Sequence, residues 1–269
     1  MPASSQIDWY DTPLYYDIVF DEDTVEEADF LEAMRARHGI RHGTGTGKKR
    51  SVLELACGSG RLVRELGGRG WRAAGFDANP RMLAFARERL ALEQIKARLW
   101  EDRMESFAVP GGKKFDLVHC LVSTFKYLLT EADALASING VAEALKPGGV
   151  FVLGLHLTDY RETKVSHERW VVTRDGVEVI CNTRTWPVDP GTRTEAMRSR
   201  LRVTLPDGTV QRQETHWTVR SYSAAQLRRL LGKVPSLQLV ACHDFRHDPD
   251  INRKLDDGYA DIVLVLKKS

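Results

Sequence analysis

The sequence predicts an α/β fold: a mainly parallel sheet closed by a terminal antiparallel hairpin and interrupted by an antiparallel β insert. Three observations carry that prediction. A strand, a tight glycine turn and a helix follow one another from Ser51, in S-V-L-E-L-A-C-G-S-G-R-L. Strand-like and helix-like stretches then alternate as far as Leu157, the pattern of parallel strands joined by right-handed crossovers. Tyr160 to Thr218 switches to alternating valines, threonines and arginines, with Asp175-Gly176 and Asp207-Gly208 as hairpin signals, which reads as three or four antiparallel strands.

Before Ser51 the chain carries an aromatic stretch, W-Y-D-T-P-L-Y-Y, and an acidic one from Asp17 to Glu32 with eight carboxylates and no basic residue. Val25, Ala28, Phe30, Leu31 and Met34 suit the apolar stripe of an amphipathic helix starting at Asp23-Thr24, with the charges on a solvated face. His38 to Arg50 is glycine-rich and basic, but lacks the G-x-x-x-x-G-K-[ST] spacing of a phosphate loop and reads as a mobile linker. Glycines between and after His38 and His42 argue against a helical metal pair, and no metal is assigned.

From Ser51, Val52, Leu53 and Leu55 form the first core strand, and Arg61 to Gly67 the first core helix, ended by Gly67-Gly68. Trp71 to Phe76 is the second strand, terminated by Asp77. Pro80 opens a helix with Met82, Leu83, Phe85, Ala86 and Leu90 on its apolar side. Leu99-Trp100 makes a third strand and Phe115 to Leu121 a fourth. Ala132 to Leu145 is the next helix, Lys146 to Gly149 a turn, and Val150 to Leu157 the fifth strand. Beyond the insert, a helix over Ala224 to Leu231 and strands at Leu237 to Ala241 and Ile262 to Leu266 complete seven core strands.

In open α/β sheets ligands sit outside the carboxyl ends of the strands, and the polar candidates fall there. Gly58 and Gly60 let a ligand lie against the backbone, where a Cβ would hold it off. Glu54 stands on the strand before them. Asp77 follows Gly60 by 17 residues, near the separation of about 20 at which a carboxylate takes both ribose hydroxyls. Cys120 and Leu121 end the fourth strand; Phe125 and Tyr127, just beyond, either border a substrate or join the core. His156 ends the fifth strand, where an imidazole is suited to accept a proton or serves as a structural histidine. His119 points away from the pocket.

The segments E-L-A-C-G-S-G (54–60), G-F-D-A-N-P-R-M-L (75–83), F-D-L-V-H-C (115–120) and L-K-P-G-G-V-F-V-L (145–153), in that order, resemble the class I S-adenosylmethionine-dependent methyltransferases of small-molecule type. The resemblance implies a Rossmann-like seven-stranded sheet, S-adenosylmethionine as cofactor and S-adenosylhomocysteine as product. It also implies cofactor contacts from Tyr16, Glu54, Ala56, Cys57, Gly58, Gly60, Leu62, Asp77, Ala78, Cys120 and Leu121, with Met82 on the adenine side or in the core. The family carries an acidic residue and then a small or sulfur residue after its third strand. Here Asp102-Arg103-Met104 leaves open which of the three meets adenine. Tyr16-Asp17 falls where a family segment folds over the cofactor, so Tyr16 bonds the methionine carboxylate or faces the substrate. Tyr16 and His156 are the catalytic candidates. Tyr160, Trp170, His216 and Trp217 are placed to cap the acceptor. The implied division is an N-terminal cap and linker (1–50), a cofactor-binding core (51–158 with 219–269) and an insert (159–218) that is a lid or a homodimer interface.

Composition narrows the rest. A net charge of +2, with 42% hydrophobic and 28% charged residues, gives no reason to expect a nucleic-acid or membrane partner. The [N/D]-P-P-[Y/F] of enzymes that grip a planar nitrogen is absent after the fourth strand, and Val63 replaces the third glycine of a dinucleotide-binding G-x-G-x-x-G. Four dispersed cysteines without a C-x-x-C pair, and no apolar run of about 18 residues, suggest a cytoplasmic protein with reduced thiols. The expected activity is methyl transfer to a small-molecule N or O acceptor. The alternatives are a tRNA or protein acceptor met by Arg193, Arg198, Arg200, Arg202 and Arg212, and a cofactor-binding protein without catalysis.

Overall fold

The computed structural model describes residues 8–39 and 50–269; positions 40–49 of the expected linker lie outside the described residues. Helices α1 (Pro13–Phe20) and α2 (Thr24–His38) come first. The core then runs β1 (Ser51–Leu55), α3 (Arg61–Gly68), β2 (Arg72–Asp77), α4 (Pro80–Leu92), β3 (Arg98–Glu101) and β4 (Phe115–Cys120). It continues with α5 (Glu131–Ala144) and β5 (Leu145–His156). Strands β6 (Ser166–Arg174), β7 (Val177–Thr185), β8 (Thr194–Thr204) and β9 (Val210–Arg220) form the insert. Helix α6 (Ala224–Leu231), β10 (Leu237–His243) and β11 (Asp261–Lys268) return to the core.

A strand that is apolar on both faces is stable only between two layers, and all six residues of β4 are buried. It lies inside a seven-stranded sheet of order β10-β11-β5-β4-β1-β2-β3. Pairing is parallel from β3 through β5, while β11 runs antiparallel to both β5 and β10. One face carries Leu53, Leu55, Phe76, Ile138 and Leu227, bringing in α5 and α6. The other carries Val52, Ala73, Leu62, Leu66, Phe30 and Leu31, bringing in α2 and α3. The order reverses between β1 and β4, the position at which such sheets bind ligands.

The insert is an antiparallel four-stranded sheet of order β6-β7-β8-β9. Asp175 (φ 51°) and Gly176 (φ 77°) both occupy the left-handed region that a type I′ hairpin demands. A third cluster joins Trp9 and Ile18 to Val179, Cys181, Leu201 and Val203, so the N-terminal segment packs on the insert. No helix among the described residues is long and apolar enough to cross a membrane.

Two of three local expectations are corrected. Helix α3 ends at Gly67-Gly68 as expected; the left-handed residue beyond it is Gly70, and the Trp71 amide closes back on the Leu66 carbonyl at 3.1 Å. Lys146 to Gly149 is a bulge inside β5, since Phe115 pairs with Leu145 but Leu117 with Val150. The acidic stretch is two helices, and its charges are not all solvated. Asp17 is completely buried, held bidentately by Arg89 at 2.7 and 2.8 Å and by Arg174 at 2.7 Å. Glu27 pairs with the buried Arg61 at 2.5 Å. Val25, assigned above to the apolar stripe, is 49% exposed.

Candidate functional site

β1 is paired on both sides, so its carboxyl end delivers the glycine turn to a fixed place. Ala56 (φ 49°), Gly58 (φ 52°) and Gly60 (φ 72°) all adopt left-handed backbone there. The turn is tied by 2.8 Å hydrogen bonds from the Cys57 amide to the Phe76 carbonyl, from Gly60 to Cys57, and from Gly58 to the Asp77 carboxylate. A Cβ on Gly60 would lie 2.8 Å from Ala86 Cβ, so glycine here also lets α3 approach α4.

Two carboxylates flank the turn. Oε2 of Glu54 is sealed from solvent and has no hydrogen-bond partner among the described residues. Burial pushes the Glu54 carboxyl up to about 8, against the opposing pull of Arg61. The two Asp77 oxygens accept 2.8 Å bonds from the Gly58 and Asn79 amides, and each keeps a further lone pair for a ligand. Desolvation raises the Asp77 pKa above the ordinary carboxylate value although those amides oppose it. An unpartnered carboxylate oxygen suits an ammonium, and a second carboxylate with two free lone pairs suits a vicinal diol. With the space left by Gly58, the residues present fit an amino-acid-bearing nucleoside.

Tyr16 sits above this turn. Its ring carbon lies 3.6 Å from where a Cβ on Gly58 would stand, and the ring packs on Phe20 at 4.6 Å. Ala78 follows Asp77 where β2 gives way to α4. Leu62, Met82 and Cys120 have side chains at most 1% exposed, so their side chains serve the core; Met82 belongs there rather than at an open adenine face. Asp102 accepts bonds from the Arg103 and Ala108 amides and from the Trp100 indole, shaping the loop after β3. Arg103 points outward, its side chain 71% exposed and paired with Glu105, so it does not supply a side chain to the site. Met104 is packed in the core.

Beyond the glycine turn lies a cavity of about 700 Å³, walled by the N-terminal segment, the ends of β4 and β5, and the insert. That volume is ordinary for small-molecule sites. Leu121 and His156 line it, as do Tyr16, Tyr127, Trp170 and Trp217. Phe125 is fully buried instead. Tyr160 bonds Ser221 and Gln226, and His216 bonds Glu214; neither lines the cavity. Carboxylates from Glu22, Asp23, Glu27, Asp159, Glu162, Glu168, Glu195 and Asp261 face Arg61, Lys126 and Lys164 across it. The Nδ1 atom of His156 lies 2.7 Å from Asp261, leaving Nε2 for another partner. His119, paired in register with Glu54, is buried with neither ring nitrogen bonded among the described residues, and desolvation lowers its pKa to about 3. The backbone at Val122 (φ 54°) and Ser123 (φ 61°) is left-handed where β4 meets the cavity, and the Ser123 hydroxyl accepts the His156 amide at 2.8 Å.

Residues 52–149 match the protein family described as a methyltransferase domain. YqeM of Bacillus subtilis is 30% identical over 109 residues, 40% of this chain and 43% of that protein. A dTDP-3-amino-3,4,6-trideoxy-alpha-D-glucopyranose N,N-dimethyltransferase of Streptomyces venezuelae is 31% identical over 128 residues, 48% of each chain. The alignments thus span about half the length of these curated relatives. The crystal structure of an S-adenosylmethionine-dependent methyltransferase from Clostridium acetobutylicum superposes with a TM-score of 0.76 at 20% identity, covering 97% of this chain and 99% of that one. That likeness is one of fold. The glycine turn, Glu54 and Asp77 lie within the matched segment, whereas most of the cavity wall lies outside it.

Several residues of that wall were not singled out from the sequence. Tyr10 bonds Tyr127 hydroxyl to hydroxyl at 2.6 Å, and Lys126 bonds Glu195 at 2.8 Å while Thr158 donates to the same carboxylate oxygen. Asp261 stands opposite His156 only through the β5–β11 register. Among the arginines suggested as a polyanion face, Arg200 pairs with Glu214 and Arg202 with Glu178. Their alternation along β8 places them away from the cavity-facing Glu195 and Met197.

Proposed function

We propose that the chain binds S-adenosylmethionine at the glycine turn and transfers its methyl group to the N or O of a small-molecule acceptor, yielding S-adenosylhomocysteine. One observation carries the reading: the unpartnered Glu54 oxygen and the Asp77 carboxylate flank a glycine turn opened toward a ligand. When bound, S-adenosylmethionine supplies a methyl group made electrophilic by a sulfonium.

The protein's work is alignment, water exclusion and proton removal. Glu54 accepts from the α-ammonium and Asp77 from the two ribose hydroxyls. Backbone groups of Ala56, Cys57, Gly58, Gly60 and Ala78 wrap the ligand, and main chain at 102–104, Cys120 and Leu121 borders the adenine. Tyr16 closes over the methionine end. His156 takes the acceptor's proton on Nε2, with Asp261 as its positioning residue. Residues 51–158 and 219–269 form the cofactor core, residues 8–39 the cap, and 159–218 a lid or a homodimer interface. The four buried free cysteines support a cytoplasmic setting. The activity named for the Streptomyces relative, methylation at an amino group, supports a nitrogen acceptor.

Calorimetric titration with S-adenosylmethionine, S-adenosylhomocysteine and NAD tests this reading. The two sulfur ligands bind and NAD does not; Asp77→Ala weakens them at least about 100-fold, since two hydrogen bonds to a charged group are lost. Absence of binding by either sulfur ligand overturns the reading.

A further inference from the structure

We infer that the acceptor enters the cavity as a cationic amine on a scaffold without phosphate groups, an inference that rests on the methyl-transfer reading above. Two independent features of the wall point to it. The first is charge. Among the described residues three lysine or arginine side chains line the cavity: Arg61 is held by Glu27 at 2.5 Å and Lys126 by Glu195 at 2.8 Å, which leaves the exposed Lys164. Glu22, Asp23, Glu162 and Glu168 face the same space. A pocket with this excess of carboxylates concentrates cations and repels a diphosphate.

The second feature is aromatic surface. Trp9 stacks on Trp217 with centroids 5.4 Å apart, Tyr10 meets Tyr127, and Trp170 adds a further ring from β6. Ring faces attract ammonium ions, more strongly in a site shielded from water, and give an uncharged hydroxyl no comparable gain. The chemistry follows. The ammonium passes one proton to Nε2 of His156, which Asp261 orients through Nδ1. The freed nitrogen lone pair forms the N–C bond while the S–C bond breaks, its electrons remaining on sulfur. The methylated product is again a cation, so the same wall can hold it for a further transfer while an N–H remains.

The test uses the full chain saturated with S-adenosylhomocysteine and three probes: choline, its neutral isostere 3,3-dimethylbutan-1-ol, and thymidine diphosphate. Calorimetry is expected to show choline binding about tenfold tighter than the isostere and no thymidine diphosphate binding. Glu168→Gln, on an exposed position that keeps its volume, is expected to weaken choline about threefold and leave the alcohol unchanged. Equal binding of the isosteres, no choline binding, or binding of thymidine diphosphate overturns the inference. Failure of S-adenosylhomocysteine itself to bind is a separate result that removes the underlying reading.

Discussion

Glu54 offers a direct test of the proposed ligand site. Its carboxyl stands near 8 where an ordinary glutamate stands at 4.5, because the folded chain removes it from water. In the unliganded protein this contribution to stability is fully present below pH 4.5 and is lost as pH rises through 8. An ammonium ligand reverses the preference, so binding near neutral pH drives the proton off. Titrations at pH 7 in buffers of different ionisation enthalpy should show release of about one proton, absent in Glu54→Gln. Affinity should climb as pH rises toward 8 and then level, about tenfold per unit at most. A buffer-independent enthalpy would contradict this. His156 and Asp261 call for a kinetic test. His156→Ala should lower kcat about 100-fold, and Asp261→Asn less, each with KM for S-adenosylmethionine unchanged. Glu54 and Asp77 were legible as residue types at a known spacing. Asp261 was not, since 105 residues separate it from the histidine it meets.

At the scale of elements, Asp17 joins three of them, binding Arg89 of α4 and Arg174 of β6 from its place on α1. The sequence presented it as one of many acids on a solvated face. Burial was invisible because both partners lie far along the chain. Removing one member of a buried ion cluster leaves the others unpaired, so Asp17→Asn should lower unfolding free energy by about 3 kcal/mol in urea melts. It should also loosen the α1 segment that carries Tyr16 over the turn. Gly60→Ala combines a left-handed φ of 72° with a 2.8 Å approach to Ala86. About 1–3 kcal/mol of destabilisation is expected, with weaker S-adenosylhomocysteine binding measured in parallel. The β-strands of the core were readable from their apolar runs. The K-P-G-G bulge was not, because a bulge is defined by the partner strand's register.

For the whole molecule, the site joins segments that are remote in sequence. The glycine turn comes from the first core unit, one cavity wall from insert residues beyond 160, and another from the first twenty described residues. A ligand bridging them stabilises the assembly by mass action. S-adenosylhomocysteine at 100 times its Kd should add about 2.7 kcal/mol, raising Tm by roughly 5–10 °C, whereas NAD should leave it unchanged. What the sequence alone determined was local: the alternation of strands and helices, the glycines and acids at strand ends, and the switch to a β insert. These follow from periodicity and from conformations open to few residue types. Only the tertiary structure decided which carboxylates are buried, which aromatic rings share the cavity, and that His156 meets Asp261. Those properties depend on contacts between distant segments and on the removal of water by the folded whole, and neither is written in any single stretch of chain.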